Sequence, residues 1–132
     1  MRADGATFAR RFEESRTRLH TLFGEWQRAG KRVAVFGAGH LAAKFVNFFG
    51  LGEFIECVID DNPNKQNLLM PGSRLPVRGS AMLDAVDVCL LSLNPESEQK
   101  VLQKYRHVVE RGVTFLSIFA LSSKSIYRAA SA

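Results

Sequence analysis

The sequence predicts an α/β domain: a doubly wound, mainly parallel sheet of four or five strands with an extra helix in front of it. Three observations carry that prediction. Short apolar runs rich in β-branched residues recur along the chain, as strands buried on both faces require. Segments of helical period alternate with them. The first of these runs, Val33 to Phe36, also opens directly onto a glycine turn, Gly37-Ala38-Gly39.

That turn sets the register of everything after it. Gly37-x-Gly39-x-x-Ala42 fits the relaxed dinucleotide-binding pattern G-x-G-x-x-G/A, between a strand and a helix as the pattern demands. Leu41 to Phe49 reads as the helix, ended by Gly50, and Ile55 to Ile59 as the second buried strand. Asp60 closes the unit 23 positions after Gly37, near the spacing of about 20 for a ribose-binding acid. Glycines allow a tight turn and close approach of a ligand to the main chain. The free amides and the dipole at the helix start then favour an anion, typically a phosphate. This is the grammar of a Rossmann-like unit.

The remaining elements follow in order. Residues 6–29 read as a long amphipathic helix with Phe8, Phe12, Leu19, Leu22 and Trp26 on one stripe and Gly30 at its end. It either packs on the sheet or connects to a neighbouring domain or subunit, and on this reading residues 1–32 are a connector. The 41–49 helix is apolar nearly all round, which calls for cover on both sides. Residues 61–74 are loop chemistry, long for an α/β domain, and such length more often marks function than filler. Leu75 to Val77 is a short third strand confined to an edge by Pro76. Ser80 to Ala85 is a short helix and Asp87 to Leu93 a buried strand. Asn94-Pro95-Glu96 starts a helix well, with Asn at the cap, Pro at the first helical position and Glu near the positive dipole end. Gly112 ends that helix, and Val113 to Phe119 is the last strand. The domain thus spans 33–121, and the tail 122–132 is expected to fray.

Composition narrows the function classes. The hydrophobic content of 46% and charged content of 23% belong to an ordinary globular chain. No apolar run approaches the ~20 residues of a membrane span, and charges interrupt the N-terminus too early for a signal peptide. The net charge of +5 does not point to nucleic acid. Residues 1–32 carry eight Lys/Arg against four Asp/Glu, so the excess lies on one helix with acids interleaved. Cys57 and Cys89 both fall in buried strands and read as core thiols of a reducing cytoplasm, without disulfide or metal.

Ligands of such sheets bind beyond the carboxyl ends of the strands, at the point where strand order reverses. Gly37, Ala38, Gly39 and His40, then Asp60, Asp61 and Asn62, then Ser92, Asn94 and Glu96 converge there. His40 could donate to a phosphate or move a proton, or simply begin a helix. Asp60 could hold ribose or sugar hydroxyls, and Asp61-Asn62 could equally cap the loop. Lys65 and Arg74 could bracket a diphosphate or be solvated, and Asn94 and Glu96 are also explained by helix capping. No Ser/His/Asp or Cys/His constellation is present for covalent catalysis. His20 and His107 lie inside helices and look incidental.

The strings VAVFGAGHLAAKF, VIDDNPNKQNLLMPGSRLPV and CLLSLNPESE together resemble the C-terminal domain of the sugar C-methyltransferase family, over roughly residues 31–120. The most specific part is Asp60-Asp61-Asn62-Pro63 with Lys65, then Pro71-Gly72 and Pro76. In that family a zinc-binding N-terminal domain and a central S-adenosylmethionine-binding domain precede a Rossmann-like C-terminal domain. A nucleotide-linked keto sugar sits between the last two. The resemblance implies a substrate-binding domain of sugar biosynthesis whose S-adenosylmethionine site and general base lie in a missing domain. No activity of this chain alone is then expected. An NAD(H)-binding oxidoreductase or redox sensor is the alternative from another class, and a non-catalytic interaction module the third. The surplus of apolar helix surface leads to the expectation of a homodimer, or a complex with a catalytic chain, through the N-terminal helix and the 41–49 helix.

Overall fold

A computed structural model describes residues 4–131, apart from the side chains of residues 4–6, 8 and 131. The elements in order are α1 (Asp4–Arg28), β1 (Val33–Phe36), α2 (His40–Phe49), β2 (Cys57–Ile59), β3 (Val77–Arg78), β4 (Val88–Leu91), α3 (Pro95–Lys104), α4 (Arg106–Glu110), β5 (Thr114–Ser117) and α5 (Ile126–Ser131). Short 3-10 turns lie at Gly52–Phe54 and Ser80–Ala85. All five strands are parallel, in the order β3-β2-β1-β4-β5. The strand order reverses beside β1, between β1 and β4.

β1 is buried at all four positions, and its alternation sorts the molecule into three layers. Val33 and Val35 face a core shared with α1, α2 and α5, through Leu19, Phe23, Phe45, Phe49 and Ile126. Ala34 and Phe36 face the opposite core, built with Leu83, Tyr105 and Val108. Both cysteines belong to this second side, because Cys57 and Cys89 are each in register with Ala34 on either flank of β1. Two strand spacings place their Cα atoms about 10 Å apart, beyond the ~7 Å reach of a disulfide. Burial pushes the Cys57 thiol up to about 11 and raises that of Cys89 further, so both stay protonated at neutral pH.

The N-terminal helix settles onto its own domain. Leu19 and Phe23 are 0% and 1% exposed, while Phe12, Leu22 and Trp26 flank them at partial burial. The stripe is thus centred on Leu19 and Phe23, one helical turn apart, and the expected line through Leu22 and Trp26 is its shoulder. Phe8, placed on the same stripe, has its side chain outside the described residues. His20 is not incidental: its Nε2–H donates to the carbonyl of Phe49 at 2.7 Å and so ties α1 to the end of α2. α1, α2 and α4 each close with the same pair of bonds, made by the amides of Gly30, Gly50 and Gly112 and of the residue after each.

Four expectations change in detail. The second strand begins at Cys57 rather than Ile55, although Glu56 N–H still donates to Val33 O at 2.8 Å. The third strand is shifted to Val77–Arg78, with Pro76 just outside its edge, as a residue lacking a donor must be. The helix from Pro95 breaks at Tyr105, whose φ of −111° and ψ of 35° leave the helical range. The described part of the tail folds back as α5, with Ile126 fully buried and the helix packed against α1. The 41–49 helix is covered by the sheet on one side and by Phe12 on another, but Phe48 remains 55% exposed.

Because Phe23 is buried on the core side of α1, against Trp26 and Phe54, Phe23→Ala should lower stability by about 3–5 kcal/mol. Urea denaturation measures this directly, and a loss below about 1 kcal/mol would show that α1 is only loosely held.

Candidate functional site

The β1–α2 turn divides into two halves. In the first half every main-chain polar group is used by the protein itself. Gly37 N–H donates to Ile59 O at 2.7 Å, and Gly37 O accepts from Ser92 Oγ at 2.9 Å. Ala38 N–H donates to Asp60 Oδ2 at 2.8 Å, and Ala38 O accepts from Lys65 Nζ at 3.2 Å. Gly37 has two reasons to be glycine. Its φ is 106°, and a Cβ there would lie 2.7 Å from Ser92 Oγ.

The second half is open. Gly39 caps α2 without a side chain, and a Cβ built on it would meet nothing within 4 Å. Its φ of −112° is one any residue adopts, so nothing inside the chain requires glycine there. Gly39, His40 and Leu41 are exposed, and the first-turn amides of α2 lack the partners a helix interior provides. An anion placed there would meet these donors and the positive end of the helix dipole.

Each residue singled out from the sequence now has a place. Asp60 receives two amides, Ala38 through Oδ2 and Asn62 through Oδ1, both at 2.8 Å, so its carboxylate organises the turn. Asp61 points away to the opposite layer, where Tyr105 donates to it at 2.9 Å and Lys104 pairs with it at 3.3 Å. Its hydrogen bond and charge raise the Lys104 ammonium above its ordinary range. Asn62 accepts from Asn64 N–H at 3.0 Å, a local turn. Ser92 donates to Phe36 O at 2.8 Å as well as to Gly37 O, stitching β4 to β1 at the point where strand order reverses. Asn94 caps α3 by accepting from Ser97 N–H at 2.8 Å. Glu96 is exposed and pairs with Lys100 one turn on. Arg74 is exposed in a left-handed turn, φ 63°, and no ion pair reaches it among the described residues. The structure therefore brings Gly37 to His40, Asp60, Lys65 and Ser92 together, and sets Asp61, Arg74 and Glu96 apart.

Two crevices flank the exposed start of α2. One, of about 480 Å³, lies at the strand-order reversal between Leu41, Ser92, Leu93, Asn94 and Phe119. The other, of about 790 Å³, runs along α2 past His40, Lys44, Asn47 and Phe48 to Pro71. Phe119 and the 41–49 helix thus matter more to the site than the sequence reading suggested. That reading also passed over Glu98, which is 3% exposed and accepts from Ser122 Oγ at 2.9 Å, holding the chain beyond β5 against α3. An acid one turn inside a helix carries no sequence signal of burial. Among the described residues no three His, Cys, Asp or Glu side chains group to hold a metal.

The strand order and the helices on both faces define a doubly wound α/β domain, with a crevice at the point where strand order reverses. Comparison with protein families sharpens this: the model of the C-methyltransferase C-terminal domain matches residues 3–119. The chain belongs to that family. A search of curated proteins finds no match.

If Asp60 is the anchor of the turn, Asp60→Ala should cost about 2–3 kcal/mol, because two amides lose a charged acceptor. Chemical denaturation reads the loss, and a change under 0.5 kcal/mol would show that the turn holds without it.

Proposed function

We propose that this chain is a substrate-holding domain. It binds a nucleotide-linked sugar at the carboxyl edge of its sheet and presents the sugar to a methyl donor carried by another domain or chain. The observation that supports this most is the open half-turn at Gly39 to Leu41, beside a neutral crevice that could take a sugar. The family match supports the same reading at the level of the domain.

S-adenosylmethionine fits this turn poorly. The strand-end acid that would hold its ribose, Asp60, is engaged by the amides of Ala38 and Asn62. No step of methyl transfer is therefore assigned to these residues. NAD(H) meets the same difficulty, although the glycine turn speaks for it. A partner is part of this reading, since the sugar must meet a donor. The apolar side chains left exposed near the crevices, Leu41 and Phe48, are where a catalytic domain or a second copy would seat.

Thermal shift with a panel of nucleotide sugars, NAD(H) and S-adenosylmethionine tests the proposal. At a hundredfold excess over Kd, a nucleotide sugar should add about 2.7 kcal/mol and raise Tm by several degrees. S-adenosylmethionine should leave Tm unchanged, and methyl transfer by the chain alone should be blank. A shift with NAD(H) and none with nucleotide sugars would replace this reading with the redox one.

A further inference from the structure

We propose that the face formed by α1, the end of α2 and the chain beyond β5 docks a second copy of this chain, as a two-fold symmetric pair. The inference does not depend on which ligand the sheet edge binds. A groove of about 560 Å³ opens on this face. It is lined by Phe12, Phe48 and Phe49 from the two helices and by Ile118, Phe119 and Tyr127 from beyond β5. Among the described residues that line it, the only charge is that of Arg11.

Beside this hole stands a knob. Leu121 follows directly on Phe119 and Ala120, which line the groove, and its side chain is 98% exposed. A single exposed leucine needs no explanation by itself. This one stands on a fixed base. Ser122 Oγ donates to the buried Glu98 at 2.9 Å, and Lys124 N–H donates to that hydroxyl at 3.1 Å. Ser122 N–H donates to Phe119 O at 3.2 Å and closes the turn around Leu121. The shape of the loop is therefore set from inside the domain, and seating Leu121 in a partner orders little further chain.

Both halves of the contact lie on one face, and this selects a second copy over an unlike chain. Hole and knob are neighbours in the chain, so a two-fold axis between them lets each Leu121 enter the groove of the other copy. The rim charges obey the same symmetry. Arg11 and Glu14 are exposed one helical turn apart on α1, and no ion pair reaches either among the described residues. Two α1 helices running antiparallel across the axis bring Arg11 of each copy to Glu14 of the other. An unlike partner would call for a knob or a hole, not both. Phe119 also walls the crevice at the strand-order reversal, so the pair holds one side of that crevice in place.

The test is analytical ultracentrifugation of the full chain from about 1 to about 100 μM, a range in which a monomer–dimer equilibrium is expected. Leu121→Asp places a charge where the knob enters and should raise the dimer Kd about thirtyfold or more. Leu121 is exposed, so the variant should fold as the parent does, which circular dichroism checks. Arg11→Glu should weaken the pair about fivefold to tenfold, and Arg11→Glu with Glu14→Arg should restore it. A monomer at every concentration would overturn the proposal and leave this face to a catalytic domain. A dimer indifferent to Leu121→Asp would overturn the face as the interface. Weakening by Arg11→Glu without rescue by the double reversal would overturn the antiparallel arrangement.

Discussion

The peptide of Ala38 is the constraint on which the rest of this structure depends. Its N–H is held by Asp60 at the end of β2, and its carbonyl by Lys65 in the loop beyond. The preceding Gly37 is held by Ile59 on one side and Ser92 on the other. Three adjacent strand ends therefore meet in two residues. A buried, unsatisfied peptide group would cost about 1–3 kcal/mol, so these partners fix the turn's geometry and do not merely decorate it. With the turn fixed, α2 must start at His40 and project its first amides outward. A ligand would find those donors already oriented, without the ordering cost that a mobile loop would add.

The same arrangement explains why one acid does not behave as its spacing suggests. In sequence, Asp60 sits where a ribose-binding carboxylate is expected, and in space it reaches the turn it was expected to accompany. What spacing does not reveal is that the chain's own amides occupy it first. Asp61 shows the complementary case. It is adjacent in sequence but on the other side of the strand, so it serves Tyr105 and the break between α3 and α4. A strand's alternation of faces separates the two, and that alternation is legible only once the end of the strand is known.

Much of the architecture was legible because buried parallel strands write themselves as apolar runs, and β1, β4 and β5 all fall within the expected runs. The order of the strands in the sheet, β3-β2-β1-β4-β5, comes from the structure alone. Less legible was whatever depends on one residue's neighbours in space. Phe23 sits at the centre of α1's buried face, yet Leu22 and Trp26 fit a helical stripe equally well on paper. Ile126 and Tyr127 are a short apolar pair in a Ser- and Ala-rich tail, and their packing on the core beside α1 is a contact the sequence does not announce. The α2 groove was invisible for the same reason. Its far wall is Pro71, brought alongside α2 by a loop whose path the sequence does not specify.

The central claim is that the open half of the turn, Gly39 to Leu41, receives the anionic part of a nucleotide-linked sugar. Amide-resolved NMR titration of the full chain with a nucleotide sugar addresses it most directly. The account predicts the largest shifts at the amides of Gly39, His40 and Leu41, with Ala38 little changed because its N–H is already bound to Asp60. Saturable binding whose shifts fall instead around Asp61, Lys104 and Tyr105, with Gly39 to Leu41 silent, would contradict it.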